Sequence, residues 1–93
     1  MLNGKKAVVI SINSKTSEIK ELSKSLGYDV VKTFTQNRNN PDVNLFLGTG
    51  KIDEVNDFID DFSEDIDLVL VNGKLKPSQW FNLEKIFKID VFD

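Results

Sequence analysis

The groups on this chain that could do chemistry are carboxylates, lysines, a single arginine at Arg38, the single tyrosine Tyr28 and backbone amides. Across 93 residues there is no cysteine and no histidine. That excludes a disulfide framework, the usual Cys/His zinc site, a thiol nucleophile and any imidazole general base. No Ser-His pair exists to hydrolyse an ester or amide. The sequence identifies no catalytic residue and no metal site, and binding is the better use of the remaining side chains.

Gly48-Thr49-Gly50-Lys51 invites comparison with a phosphate loop, but the spacing fails. G-x-x-x-x-G-K-[ST] ending at Lys51 needs glycine at 45 and a hydroxyl at 52, where the chain has Leu45 and Ile52. Around Gly73-Lys74 the required positions 68 and 75 are both leucine. A dinucleotide G-x-G-x-x-G would need glycine at 53, which is Asp53. Two glycines entering a helix either make a tight turn or let an anion approach the helix amides, with Lys51 adding charge. Gly48, Thr49 and Gly50 are therefore candidates for an anion-binding turn.

Gln36-Asn37-Arg38-Asn39-Asn40 concentrates amide side chains around the arginine. Guanidinium and amide groups contact phosphates and base edges, and asparagine is also a common turn residue. Arg38, Asn39, Asn40 and Lys51 are the candidate RNA contacts. The acids between 53 and 67 do not form a calcium loop, because no glycine lies between 51 and 72. They read as a solvated helix face turned away from nucleic acid. Trp80 belongs with Leu83 and Phe87 on one helical stripe, so Phe81 points about 100° away and is either a filler between packed layers or a candidate partner contact.

These groups need elements to hold them. KKAVVISI at 5–12 reads as a buried strand, and Ile19, Leu22 and Leu26 as a helical stripe ended by Gly27. Tyr28–Thr35 reads as a second strand and 36–44 as a long polar loop. Leu45-Phe46-Leu47 is a short strand candidate. Ile52, Val55, Ile59 and Phe62 form a second helical stripe, Asp67–Asn72 another strand, and Pro77 opens a third helix. Ile89–Phe92 begins a last strand. The alternation predicts a single α/β domain over 1–93, with a mainly parallel sheet of four to five strands and about three helices.

The formal charge of −3 hides an asymmetry. Residues 52–73 hold eight acids and no base, leaving 12 basic residues against 7 acids elsewhere, a balance of +5. No apolar run is long enough to span a bilayer or serve as a signal peptide, and cytoplasm is the expected location.

Thr35-Gln36-Asn37-Arg38-Asn39-Asn40-Pro41-Asp42, followed by Phe46-Leu47-Gly48-Thr49-Gly50-Lys51-Ile52-Asp53-Glu54-Val55, resembles the N-terminal region of HflX-family GTPases. Leu75-Lys76-Pro77-Ser78-Gln79-Trp80-Phe81-Asn82-Leu83-Glu84 is similar to that family's L-[ST]-P-[ST]-Q-x-x-N-L-E segment, and Val91-Phe92-Asp93 to its V-x-D. Order and spacing agree throughout. Val43 stands where the family usually has proline, Leu45-Phe46 where it has Thr-Tyr, and Phe81 where it usually has arginine.

The resemblance implies the first subdomain of an N-terminal region, followed in the parent protein by a helical hairpin and a GTPase domain using GTP and Mg. It implies the large ribosomal subunit, and its ribosomal RNA, as partner, alongside the rest of the chain itself. The function it implies is docking on the ribosome to position a GTPase that splits or rescues ribosomes. The alternatives are a nucleotide- or small-molecule-sensing domain, using the strand-to-helix turns as a pocket, and a purely structural interaction module.

Overall fold

The computed structural model describes residues 5–12, 27–37 and 40–93. Strands β1 (Lys5–Ile12) and β2 (Tyr28–Gln36) are followed by helix α1 (Thr49–Asp61), strand β3 (Leu68–Asn72), helix α2 (Pro77–Phe87) and strand β4 (Asp90–Phe92). The four strands form one sheet in the order β2-β1-β3-β4, and every neighbouring pair is parallel.

The period of two along β1 distributes its side chains between two layers. Val8 and Ile10 join Val69, Val71 and Val91 in the main core, over which Ile52, Val55, Leu83 and Phe87 close from the helices. Ala7 and Val9 face the other way, with Leu68 and Leu70, in a smaller cluster. A central parallel strand buried on both faces is continuously apolar, which is why Ala7–Ile10 shows no polar alternation.

One expectation needs correction. Of the four to five strands expected, four lie among the described residues, because Leu45–Leu47 is not a strand. Phe46 adopts a left-handed conformation (φ 67) that extended backbone cannot accommodate, and it pairs only with Asp42 in an isolated bridge. Its ring is buried instead under the edge of the sheet. Two helices, not three, lie among the described residues; the helix expected from Ile19, Leu22 and Leu26 falls outside them.

The stripe on α2 also differs from expectation. Its buried positions are Gln79, Leu83 and Phe87, whereas Trp80 is only half-buried. The stripe therefore starts one residue earlier, on a polar side chain. On α1 the acids Asp53, Glu54, Asp57, Asp60 and Asp61 are exposed, as expected of a solvated face.

Candidate nucleic-acid interface at the carboxyl edge of the sheet

In a parallel sheet all strands end at the same edge, and this edge gathers the end of β2, residues 40–48, the start of α1, the 73–76 turn and Asp93. Hydrogen bonds to polar side chains hold the segments together. Gln36, at the end of β2, accepts from the Gly48 amide through Oε1 at 2.9 Å. This places the start of α1 beside the end of β2 and closes the loop between them.

The second half of that loop is a tight turn built on Asp42. Its carboxylate accepts from the amides of Asn44 and Leu45 at 2.9 and 2.8 Å, the local bonding that favours aspartate at turns. Its backbone exchanges two 3.0 Å bonds with Phe46. These four bonds hold Phe46 in its left-handed conformation and drive the ring inward.

The ring explains Gly73. A Cβ added there would stand 2.6 Å from the Phe46 Cζ, closer than carbon atoms approach without displacement. The chain can leave β3 beneath the aromatic ring only without a side chain at this position.

Helix α2 clamps the turn from the other side. Gln79, 3% exposed, donates from Nε2 to the Asp42 carbonyl at 2.7 Å and accepts at Oε1 from the Lys76 amide at 2.8 Å. The second bond satisfies a backbone donor at the start of the helix, and Pro77 has no donor to satisfy. Asn82 donates to the Asn44 carbonyl at 3.0 Å. Glu84 accepts from the Val91 amide at 3.1 Å, closing part of the β4 edge, and the Asp93 carboxylate accepts from Leu75 at 2.9 Å.

The expected contact residues are placed unevenly by this frame. Arg38 and Asn39 lie outside the described residues. Asn40 is exposed next to them, just before the Asp42 turn. Lys51 lies in the first turn of α1 with its ammonium 3.0 Å from Glu54 Oε1, so it enters any contact already paired. Phe81 is 65% exposed on α2, with Lys85 Nζ 5.9 Å from its ring centroid.

Gly48 and Gly50 are informative because backbone geometry does not require them. Gly48 has φ −69 and ψ 155, an extended conformation open to any residue. Gly50 is helical, and a Cβ there would meet nothing within 4 Å. Packing therefore gives no reason for glycine at this position in the first turn. The start of α1 also has no acid in its first turn, where the helix dipole would favour one. Exposed amides, glycines and Lys51 make that end suited to an anion brought close to the backbone.

Sequence reasoning missed Gln36, Asp42, Gln79, Asn82, Glu84 and Asp93 as the frame of this edge. The available signal was Gln79 at the head of an apolar stripe, since a buried amide must be hydrogen-bonded. No group of three or more acids among the described residues is placed to hold a metal ion. The spacing of a phosphate loop is absent from the sequence as well. No helix among the described residues is long and apolar enough to cross a membrane.

The family described as GTP-binding GTPase N-terminal matches residues 13–93. The GTPase HflX of Flavobacterium psychrophilum is 31% identical over 102 residues, covering 99% of this chain and 24% of that protein. The GTPase HflX of Methanocaldococcus jannaschii is 40% identical over 76 residues, covering 82% of this chain and 18% of that protein. The chain thus spans a quarter or less of these curated relatives. Among solved structures, SsGBP in complex with GDP superposes with a TM-score of 0.75 at 20% identity, covering 96% of this chain and 26% of that one. An SsGBP mutation variant gives 0.76 at the same identity, covering 29% of its chain. Likeness at that identity establishes the fold.

Proposed function

Since the chain belongs to the GTP-binding GTPase N-terminal family, we propose that it is the ribosome- and RNA-docking domain of an HflX-like GTPase. In this reading it positions a GTPase domain on the large ribosomal subunit in the cytoplasm, where the parent protein splits or rescues ribosomes. GTP and Mg belong to the GTPase part of that parent, and this domain performs no hydrolysis. Its contribution is orientation and charge complementarity.

The carrying observation is the clamped carboxyl edge. Gln36 bonded to Gly48, and Gln79 bonded to Asp42, hold the end of β2 and the Asp42 turn beside a helix whose first turn has no acid. Among the described candidates, this edge carries the exposed Asn40 and the ammonium of Lys51, groups suited to phosphate oxygens. Of the exposed acids of α1, Glu54 lies at that edge paired with Lys51, and Asp57, Asp60 and Asp61 lie further along the helix.

Co-sedimentation of the chain with large ribosomal subunits over a salt series tests the proposal. Binding that weakens with salt, and weakens further in Arg38→Ala and Lys51→Ala, is the expected result. Undiminished binding in both variants rejects the contact assignment; failure to bind at low salt rejects docking by this domain.

One observation favours a second reading, nucleotide sensing. The chain leaves β1 toward β2 on one side and returns to β3 on the other, so the β1/β3 edge is a topological switch point. Asn72 donates to Ser11 there at 3.3 Å. A clear thermal stabilisation by ATP or GTP would favour this reading over RNA docking.

A further inference from the structure

The opposite, amino-terminal edge of the sheet carries a second feature. The carboxyl ends of α1 and α2, with the residues that follow each, line an open cleft of about 560 Å³. Its floor is apolar: Ile66 and Phe87 are buried, and Ile59, Phe62 and Ile89 are half-buried. Its rim is acidic, with Asp60, Asp65 and Asp67 against the single cation Lys88.

The helix ends add to that negative potential. Both α1 and α2 terminate at the cleft, and a helix carboxyl end carries partial negative charge, which Lys85 and Lys88 offset at the end of α2. The last turn of α1 has no basic residue to oppose it, and Asp60 and Asp61 stand there instead. Lys51 occupies the opposite end of the same helix. The charges of α1 thus run against its dipole at both ends, an arrangement that disfavours the isolated helix and favours an anion at one end and a cation at the other.

The chemistry narrows the cation. Asp67 is held by the Lys6 amide at 2.8 Å, while Asp60 and Asp65 form no ion pair among the described residues. The acids do not converge as a metal cage would require. A nucleic acid is repelled. Carboxylates around an apolar floor match lysine or arginine side chains, whose methylene stems lie on apolar surface while their heads reach the rim.

We propose that this cleft is a docking site for a lysine- or arginine-rich segment of a protein partner, separate from the RNA-facing edge. The domain is then bipolar: its carboxyl edge meets phosphate, and its amino edge meets a basic polypeptide.

Fluorescence anisotropy with a labelled decapeptide of alternating lysine and leucine tests this on the 93-residue chain. The expected result is saturable binding, weakened about tenfold in the Asp60→Asn/Asp65→Asn variant and unchanged in Lys51→Ala. Both aspartates are exposed, so the variant keeps its fold; an unchanged thermal transition checks this. Amide shifts in a nuclear magnetic resonance titration are expected at Ile59, Asp65 and Ile66. The proposal is overturned by absent binding, by equal affinity of the double variant, or by equal affinity of the peptide with acetylated lysines. Spermidine binding as tightly as the peptide also overturns it, in favour of a polyamine.

Discussion

Gln79 Nε2 lies 2.7 Å from the carbonyl oxygen of Asp42, a bond that joins the start of α2 to a turn 37 residues earlier. Because its Oε1 also accepts from Lys76, one buried amide anchors both the helix and the loop. Gln79→Ala leaves a buried amide and a carbonyl short of partners and is expected to cost about 1–3 kcal/mol. Gln79→Glu retains the acceptor but loses the donor, so it should loosen the loop while keeping α2 capped. Chemical denaturation ranks the variants, and hydrogen exchange at Asn44 and Leu45 reports the loop.

Gly73→Ala tests the contact with Phe46. The added methyl must displace a buried ring, and overpacking of this kind costs about 1–3 kcal/mol. The paired change Gly73→Ala/Phe46→Leu should cost less than the sum of its parts, because the smaller side chain vacates the contested space. Additivity in equilibrium unfolding would refute the contact.

Glu54→Gln tests the pairing of Lys51. With its partner at 3.0 Å neutralised, the ammonium is available without an exchange of partners. Ribosome binding should tighten by roughly two- to fivefold, as expected from an exposed ion pair of 0.2–1 kcal/mol. Weaker binding, measured by co-sedimentation at fixed salt, would remove Lys51 from the interface.

Asp61→Asn tests the inverted charge of α1. Removing an acid from the last turn relieves its opposition to the dipole, and stability should rise by about 0.3–1 kcal/mol. A thermal transition lowered by the change would contradict that account.

Alkaline pH tests the Lys6 cluster. Lys6 has its pKa raised, mainly by hydrogen bonding to Glu64 at 3.1 Å, then to Asp29 at 3.4 Å. A raised pKa means that the folded state holds this proton more tightly than the unfolded chain. The contribution is complete below the ordinary lysine range and disappears as pH climbs through it. Lys6→Met should flatten that alkaline loss in a pH series of unfolding curves.

Much of the architecture follows from local pattern. The unbroken apolar run Ala7–Ile10 marks a strand buried on both faces, and Ile52, Val55 and Ile59 mark one side of a helix, because burial imposes the period of the element. The absence of cysteine, histidine and a phosphate loop restricts the chemistry without any coordinates. The spacing of the polar motifs was enough to identify the family.

Long-range pairing decided the rest. Leu45-Phe46-Leu47 has strand composition, yet four hydrogen bonds to Asp42 and the space above Gly73 put Phe46 in a left-handed turn. The polar residues of the motifs read in sequence as candidate partner contacts, whereas Gln79, Asn82 and Glu84 are used within the fold, because a buried donor or acceptor must be satisfied wherever the chain brings one near. The separation of the two charged ends of α1 was present in the order of its residues. Only the parallel sheet set one beside the end of β2 and the other beside an apolar cleft, since parallel strands gather all their carboxyl ends at one edge and all their amino ends at the other.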